Sequence, residues 1–209
     1  MNFVPLALYL MVMTITPGPN NLVLASSGVR FGFSRTLPAL LGMALGLACQ
    51  IAILAVALGH IKELMTDLQL WLALAGGGYL LWLAWQMARA SQPGEAGAAA
   101  RPMGFAGGVL FNWLNPNVWL MSVNLALLFL PSGMPLWQAG GLFAAVSFLV
   151  ALPCIGVWAW GGVALARFLR SPRRLAAFNW LMASLLAGMA LWLVADKLPA
   201  GAVDMVPFV

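Results

Sequence analysis

Apolar residues along this chain follow neither the alternation of a strand nor the one-sided stripe of a surface helix. They form six long runs: Phe3 to Ser27, Leu37 to Ile61, Leu68 to Ala88, Gly104 to Leu130, Trp137 to Ala166 and Ala176 to Ala195. Each is near or above the ~20 helical residues that cross a ~30 Å hydrocarbon layer. A transmembrane strand would alternate apolar and polar positions, and these runs do not. The pattern predicts an all-α integral membrane protein with six transmembrane helices.

Two of the six runs are interrupted. "TITPGPNNLVLASS" places Pro17, Gly18 and Pro19 near the middle of the first, followed at once by Asn20 and Asn21. "NWLNPNVW" places Asn112, Asn115, Pro116 and Asn117 near the middle of the fourth. Proline lacks an N–H and clashes with the carbonyl four residues back. Pro17 and Pro19 are therefore expected to free the carbonyls of Met13 and Ile15, and Pro116 that of Asn112. An orphan carbonyl in hydrocarbon costs several kcal/mol, so each break must face protein or a water-filled cavity. Beyond each break a half-helix starts with free N–H groups and the positive end of its dipole. Asn20 and Asn117 suit such a start. Carbonyls can hold an ammonium group and N–H groups a carboxylate, and a zwitterionic amino acid presents both. A lone proline is more simply a kink; the matched pair of breaks favours a site.

The two breaks also divide the chain. A Gly/Ala/Pro-rich linker, residues 91–103, separates residues 1–90 from residues 104–209, with three runs on each side. An odd number of spans per half inverts the second half, which gives two inverted three-helix repeats with broken first and fourth helices. This is the plan of many secondary transporters.

Charge agrees and adds an orientation. Only 7% of residues are charged, against about a quarter in soluble domains. Arg30, Arg35, Arg89, Arg101, Arg167, Arg170, Arg173 and Arg174 fall in the odd loops, and Lys62 and Lys197 elsewhere. Positive-inside places the odd loops in the cytoplasm and both termini outside, which in a bacterial plasma membrane is the periplasm. Trp82, Trp85, Trp158 and Trp160 suit the inner interface and Trp137 the outer one. No Lys or Arg precedes Arg30, so the first run reads as a retained span rather than a signal peptide. The basic residues do not cluster with aromatics, and no nucleic-acid site is expected.

Other candidate chemistry is sparse. Gln50 and Tyr79 lie mid-span, and Asn124 joins the asparagines of the fourth run; each is either helix–helix glue or a ligand contact. No acid or base lies deep in a span, so a proton relay lacks an ionisable carrier. Asp196 and His60 read as interfacial. One His and two separated Cys are too few for a metal site, which weakens a metal-ion exporter, and no cofactor is expected. Cys49 and Cys154 sit in equivalent runs of the two halves, which keeps a membrane thiol–disulfide carrier as an alternative, although no CxxC occurs. "GMALG" (Gly42 to Gly46) and "GFAGG" (Gly104 to Gly108) permit close helix packing within one chain or between two, so a homodimer stays open.

The stretch "TPGPNNLVLASSGVRFGFSRTLPALLGMALG" resembles the LysE/RhtB family of bacterial amino-acid exporters. "GGYLLWLAWQMARA" and "GVLFNWLNPNVWL" are similar to that family's third and fourth spans, and the likeness covers essentially the whole chain. Through "YLLWLAW" the cysteine and O-acetylserine exporters are its most similar subgroup. The resemblance implies export of amino acids or their derivatives from the cytoplasm, driven by the proton gradient. It places the family's PGP motif on Pro17, Gly18 and Pro19, and its Asn-Pro pair on Asn115 and Pro116.

Overall fold

The computed structural model describes residues 4–57, 61–89, 101–129, 134–169 and 171–197. The expected linker lies outside the described residues up to residue 100, as do His60 and Arg170. The side chains of Lys62, Glu63, Asp67, Asp196 and Lys197 also lie outside the description.

The described residues form eight α-helices: α1 (Val4–Ile15), α2 (Pro19–Phe31), α3 (Phe33–Ala57), α4 (Ile61–Ala88), α5 (Phe105–Leu114), α6 (Pro116–Phe129), α7 (Leu136–Ala166) and α8 (Pro172–Lys197). The first and fourth apolar runs are each two short helices, interrupted where the prolines stand. Among the described residues, three helices are long and apolar enough to cross a membrane unaided: Phe33–Ala57, Leu136–Ala166 and Pro172–Trp192.

The expected first loop is a single residue. Gly32 joins α2 to α3 with φ 78°, a left-handed conformation open to glycine and costly for most side chains. Its N–H donates to the Gly28 carbonyl at 3.1 Å, and its carbonyl accepts the Thr36 N–H at 3.2 Å. Arg30 therefore lies in the last turn of α2 and Arg35 in the first turn of α3.

Packing runs mostly between the two halves of the chain. α3 packs against α7, and α4 against α8. α3 also lies on the broken pair α5 and α6, while α7 lies on the broken pair α1 and α2. Glycine makes close crossings possible at two places that join the halves. A Cβ on Gly28 would stand 2.2 Å from the Ala159 carbonyl oxygen, and one on Gly162 2.0 Å from that of Ala25. A Cβ on Gly42 would stand 2.1 Å from the Phe105 oxygen, and one on Gly108 2.3 Å from that of Ala39. The "GMALG" and "GFAGG" patterns thus pack on each other within one chain. Around these crossings lies a core that includes Leu24, Leu40, Met43, Phe111 and Leu186. The outer face is apolar too: Leu149 and Trp160 are 69% and 65% exposed. In water so much apolar surface would drive association; facing lipid it carries no such penalty.

Candidate functional site

The break between α1 and α2 is satisfied mainly from outside the helix that lost its donors. Ile15 would have bonded residue 19, but Pro19 has no N–H. The Trp158 indole of α7 donates to the Ile15 carbonyl instead, at 3.0 Å. The Asn21 side-chain amide donates to the carbonyls of Thr14 and Thr16, at 2.8 and 2.7 Å. At the second break the Asn112 carbonyl accepts the Asn115 N–H at 3.2 Å. The Trp119 indole donates to the Trp113 carbonyl at 2.7 Å.

These bonds bear on three sequence expectations. The Ile15 and Asn112 carbonyls are not left waiting for a ligand, because an orphan carbonyl at a break is costly and a protein donor lies within reach. Trp158, expected at the inner interface, also serves the break through its indole N–H. The half-helix caps stand one residue before each proline: Gly18 caps α2, and Asn115 caps α6 with its Oδ1 accepting the Asn117 N–H at 3.1 Å. Proline is favoured at the first helical position, which moves the cap ahead of it. Asn20 and Asn117 therefore lie inside their helices.

Asn20 has a different task. Its Nδ2 donates to Asn112 Oδ1 at 2.9 Å, and its Oδ1 accepts from Asn115 Nδ2 at 3.1 Å. Asn112 Nδ2 in turn donates to Gln50 Oε1 at 3.3 Å. The result is one directed chain of four side-chain amides, Asn115 to Asn20 to Asn112 to Gln50. It ties the second break to the first and both to α3. Gln50 and Asn112 are almost fully buried, so each bond in the chain matters more than it would at a surface.

A cavity of about 370 Å³ lies along this chain. Pro17, Gly18, Pro19, Asn20, Asn21, Asn112, Asn115 and Asn117 all line it, with Asn124. Apolar walls come from α3, α7 and α8, through residues such as Met43, Leu47, Ile155 and Trp192. Among the described residues, no charged side chain lines it. No side chain caps α2, so its first N–H groups, at Asn20 and Asn21, remain as donors. For acceptors, Asn21 Oδ1 is buried without a partner. Thr14 and Thr16, also in the lining, went unnoticed in the sequence because their hydroxyls read as ordinary helix bonds to the preceding turn, which they also make.

Three sequence candidates stand apart. Gln50 sits behind the cavity and reaches it only through Asn112, with its Nε2 unpartnered. Pro116 lines a gap of about 10 Å³ with Gly76, Tyr79, Phe111, Leu114 and Asn115. Tyr79 stacks on Trp82 at 5.4 Å and tilts against Phe111 at 5.5 Å. It faces a second cavity, of about 490 Å³. The narrow gap shares Asn115 with the first cavity and Tyr79 with the second, so it stands between them. Cys49 is exposed and Cys154 buried, and both are free thiols. Among the described residues no group of three or more His, Cys, Asp or Glu side chains clusters.

Comparison with known proteins gives a consistent result. The family described as LysE type translocator matches residues 11–197. The cysteine/O-acetylserine efflux protein of Klebsiella pneumoniae is 32% identical over 193 residues, 90% of this chain and 94% of the relative. The protein of that name in Escherichia coli K12 is 31% identical over 147 residues, 69% of this chain and 72% of the relative. That of Salmonella choleraesuis is 30% identical over the same length. No solved structure matches the chain.

Proposed function

This chain belongs to the LysE type translocators, and from that premise we propose that it exports small amino acids or their derivatives across the bacterial plasma membrane. Cysteine and O-acetylserine, named for its relatives, are the first candidates. One observation carries the reading: a directed amide chain joins the two helix breaks along a cavity whose described lining carries no charge. A neutral zwitterion needs no buried counter-charge. Its carboxylate meets the uncapped N–H groups of α2, and its ammonium meets side-chain amide oxygens of the cleft lining, which includes Asn117 and Asn124. A volume of about 370 Å³ is at the small end of the ~300–1,000 Å³ usual for ligand pockets.

The reading includes a topology. The six apolar runs are six spans in two inverted repeats, with odd loops in the cytoplasm. The exchanged packing, α3 on the second broken pair and α7 on the first, supports the repeat. Arg30 and Arg101 meet at the second cavity, which supports a common basic end. Export is driven by the proton gradient in this proposal, so a protonophore should collapse it.

Overexpression in a bacterial host tests the function, with the amino acids of the medium measured against an empty vector. Cysteine or O-acetylserine should accumulate outside. An unchanged medium across a broad amino-acid panel overturns the reading. A chain carrying Cys49→Ser and Cys154→Ala should keep export within about twofold of the parent, because neither thiol lines the cavity and a buried cysteine packs as a small hydrophobe. Loss of export in that variant would restore the thiol–disulfide carrier.

A further inference from the structure

The second cavity, of about 490 Å³, lies among the C-terminal half of α2, the end of α4 and the start of α5. Arg30 and Arg101 both line it, together with Ser26, Gln86 and Trp82, and none of its described lining residues is acidic. Arg30 is only partly exposed. Ser26 is 4% exposed, and its Oγ has no hydrogen-bond partner. Two arginines and a serine whose buried hydroxyl has no partner therefore line one space. A guanidinium drawn partly out of water favours an anion beside it, and its planar fork fits a carboxylate in bidentate fashion. The Ser26 hydroxyl can donate to the same carboxylate. A narrow gap lined by Tyr79 and Phe111 shares Tyr79 with this cavity and Asn115 with the central cleft.

We infer that this cavity is a second amino-acid site, where Arg30, Arg101 and Ser26 take the substrate's carboxylate before the molecule passes Tyr79 into the cleft. The inference rests on the export reading above and adds to it a place where charge is read. The cleft meets a carboxylate with the N–H groups of α2 alone. The arginines add full positive charge to that preference and raise the local concentration of anionic ends at the constriction. The face of Trp82, stacked with Tyr79, suits the ammonium end.

The test is equilibrium binding of radiolabelled O-acetyl-L-serine to the full chain in phosphatidylcholine nanodiscs. Two molecules should bind per chain. R30Q and R101Q should each weaken one site at least tenfold and spare the other, S26A should weaken it less, and R30K, which keeps the charge but loses the fork, should fall between R30Q and the parent. O-acetylethanolamine, which lacks the carboxylate, should not compete at the arginine site. N20A should lose the cleft site and keep the arginine site, so the two readings fail separately. A single site in the parent chain, unchanged in R30Q and R101Q but lost in N20A, overturns this inference and leaves the cleft intact. Arginine variants that change only the retention of added phosphatidylglycerol assign the cavity to lipid and overturn it as well. No binding at all overturns both readings.

Discussion

Replacing Asn20 with alanine should reduce export by more than tenfold in a chain that still inserts and folds. Asn20 is the middle link of the amide chain, donating to Asn112 Oδ1 and accepting from Asn115 Nδ2. Its removal leaves an acceptor on α5 and a donor at the second break without partners. Each unmet buried polar group costs about 1–3 kcal/mol. The cleft can relieve part of this with water, because Asn20 lines the cavity. The fold should therefore survive with a lowered melting temperature, while the two breaks lose their fixed relation. Asn20→Asp should do no better. Its carboxylate can still accept from Asn115 but offers Asn112 Oδ1 no donor, and it brings a charge into a cleft with none. Export assays paired with thermal melting of the purified chain separate the outcomes. Export near the parent level in the alanine variant would detach the amide chain from transport.

The second large effect belongs to the helix crossings. Gly162→Ala should destabilise the protein by about 1–3 kcal/mol, the usual cost of overfilling a packed interior, and Gly162→Val by more. The new Cβ would lie 2.0 Å from the Ala25 backbone oxygen and 2.8 Å from its carbonyl carbon. Backbone cannot swing aside as the end of a side chain can, so α2 and α7 must separate. Gly28→Ala meets the same crossing from the other side, 2.2 Å from the Ala159 oxygen, and the effects of the two should not simply add. Gly161→Ala is the control: nothing lies within 4 Å of its Cβ position, so its melting temperature should match the parent or slightly exceed it. Equal melting of Gly161→Ala and Gly162→Ala would contradict the close approach of these helices.

What was legible in the sequence follows from how locally it is written. Pro17, Pro19 and Pro116 act on their own backbone, so both helix breaks could be placed from residue types alone. The asparagines beside them marked a polar stretch, and eight of the eleven sequence candidates line one cavity. Partners across the fold were not legible. Nothing near Ile15 announces that an indole 143 residues later will satisfy its carbonyl. Periodicity could not divide Gln50 from Tyr79 either, since both are isolated polar residues in apolar runs. The fold places one behind the cleft and the other at the constriction. The glycine patterns were visible, but which surface each would meet depended on α3 crossing α5 and α2 crossing α7. Arg30 and Arg101 looked like orientation signals because each belongs to a different loop. Only the meeting of α2, α4 and α5 brings them to one cavity.

The central claim is that the cleft between the two breaks holds the exported amino acid, and substrate protection of a single thiol tests it most directly. In the Cys49→Ser, Cys154→Ala background, Asn124→Cys places an accessible thiol on the cleft lining. The amino acid found in the medium assay should slow maleimide labelling of that thiol at least threefold, and adding Asn20→Ala should remove the protection. Labelling that proceeds at one rate with and without that amino acid, in a chain that still exports it, would contradict the claim.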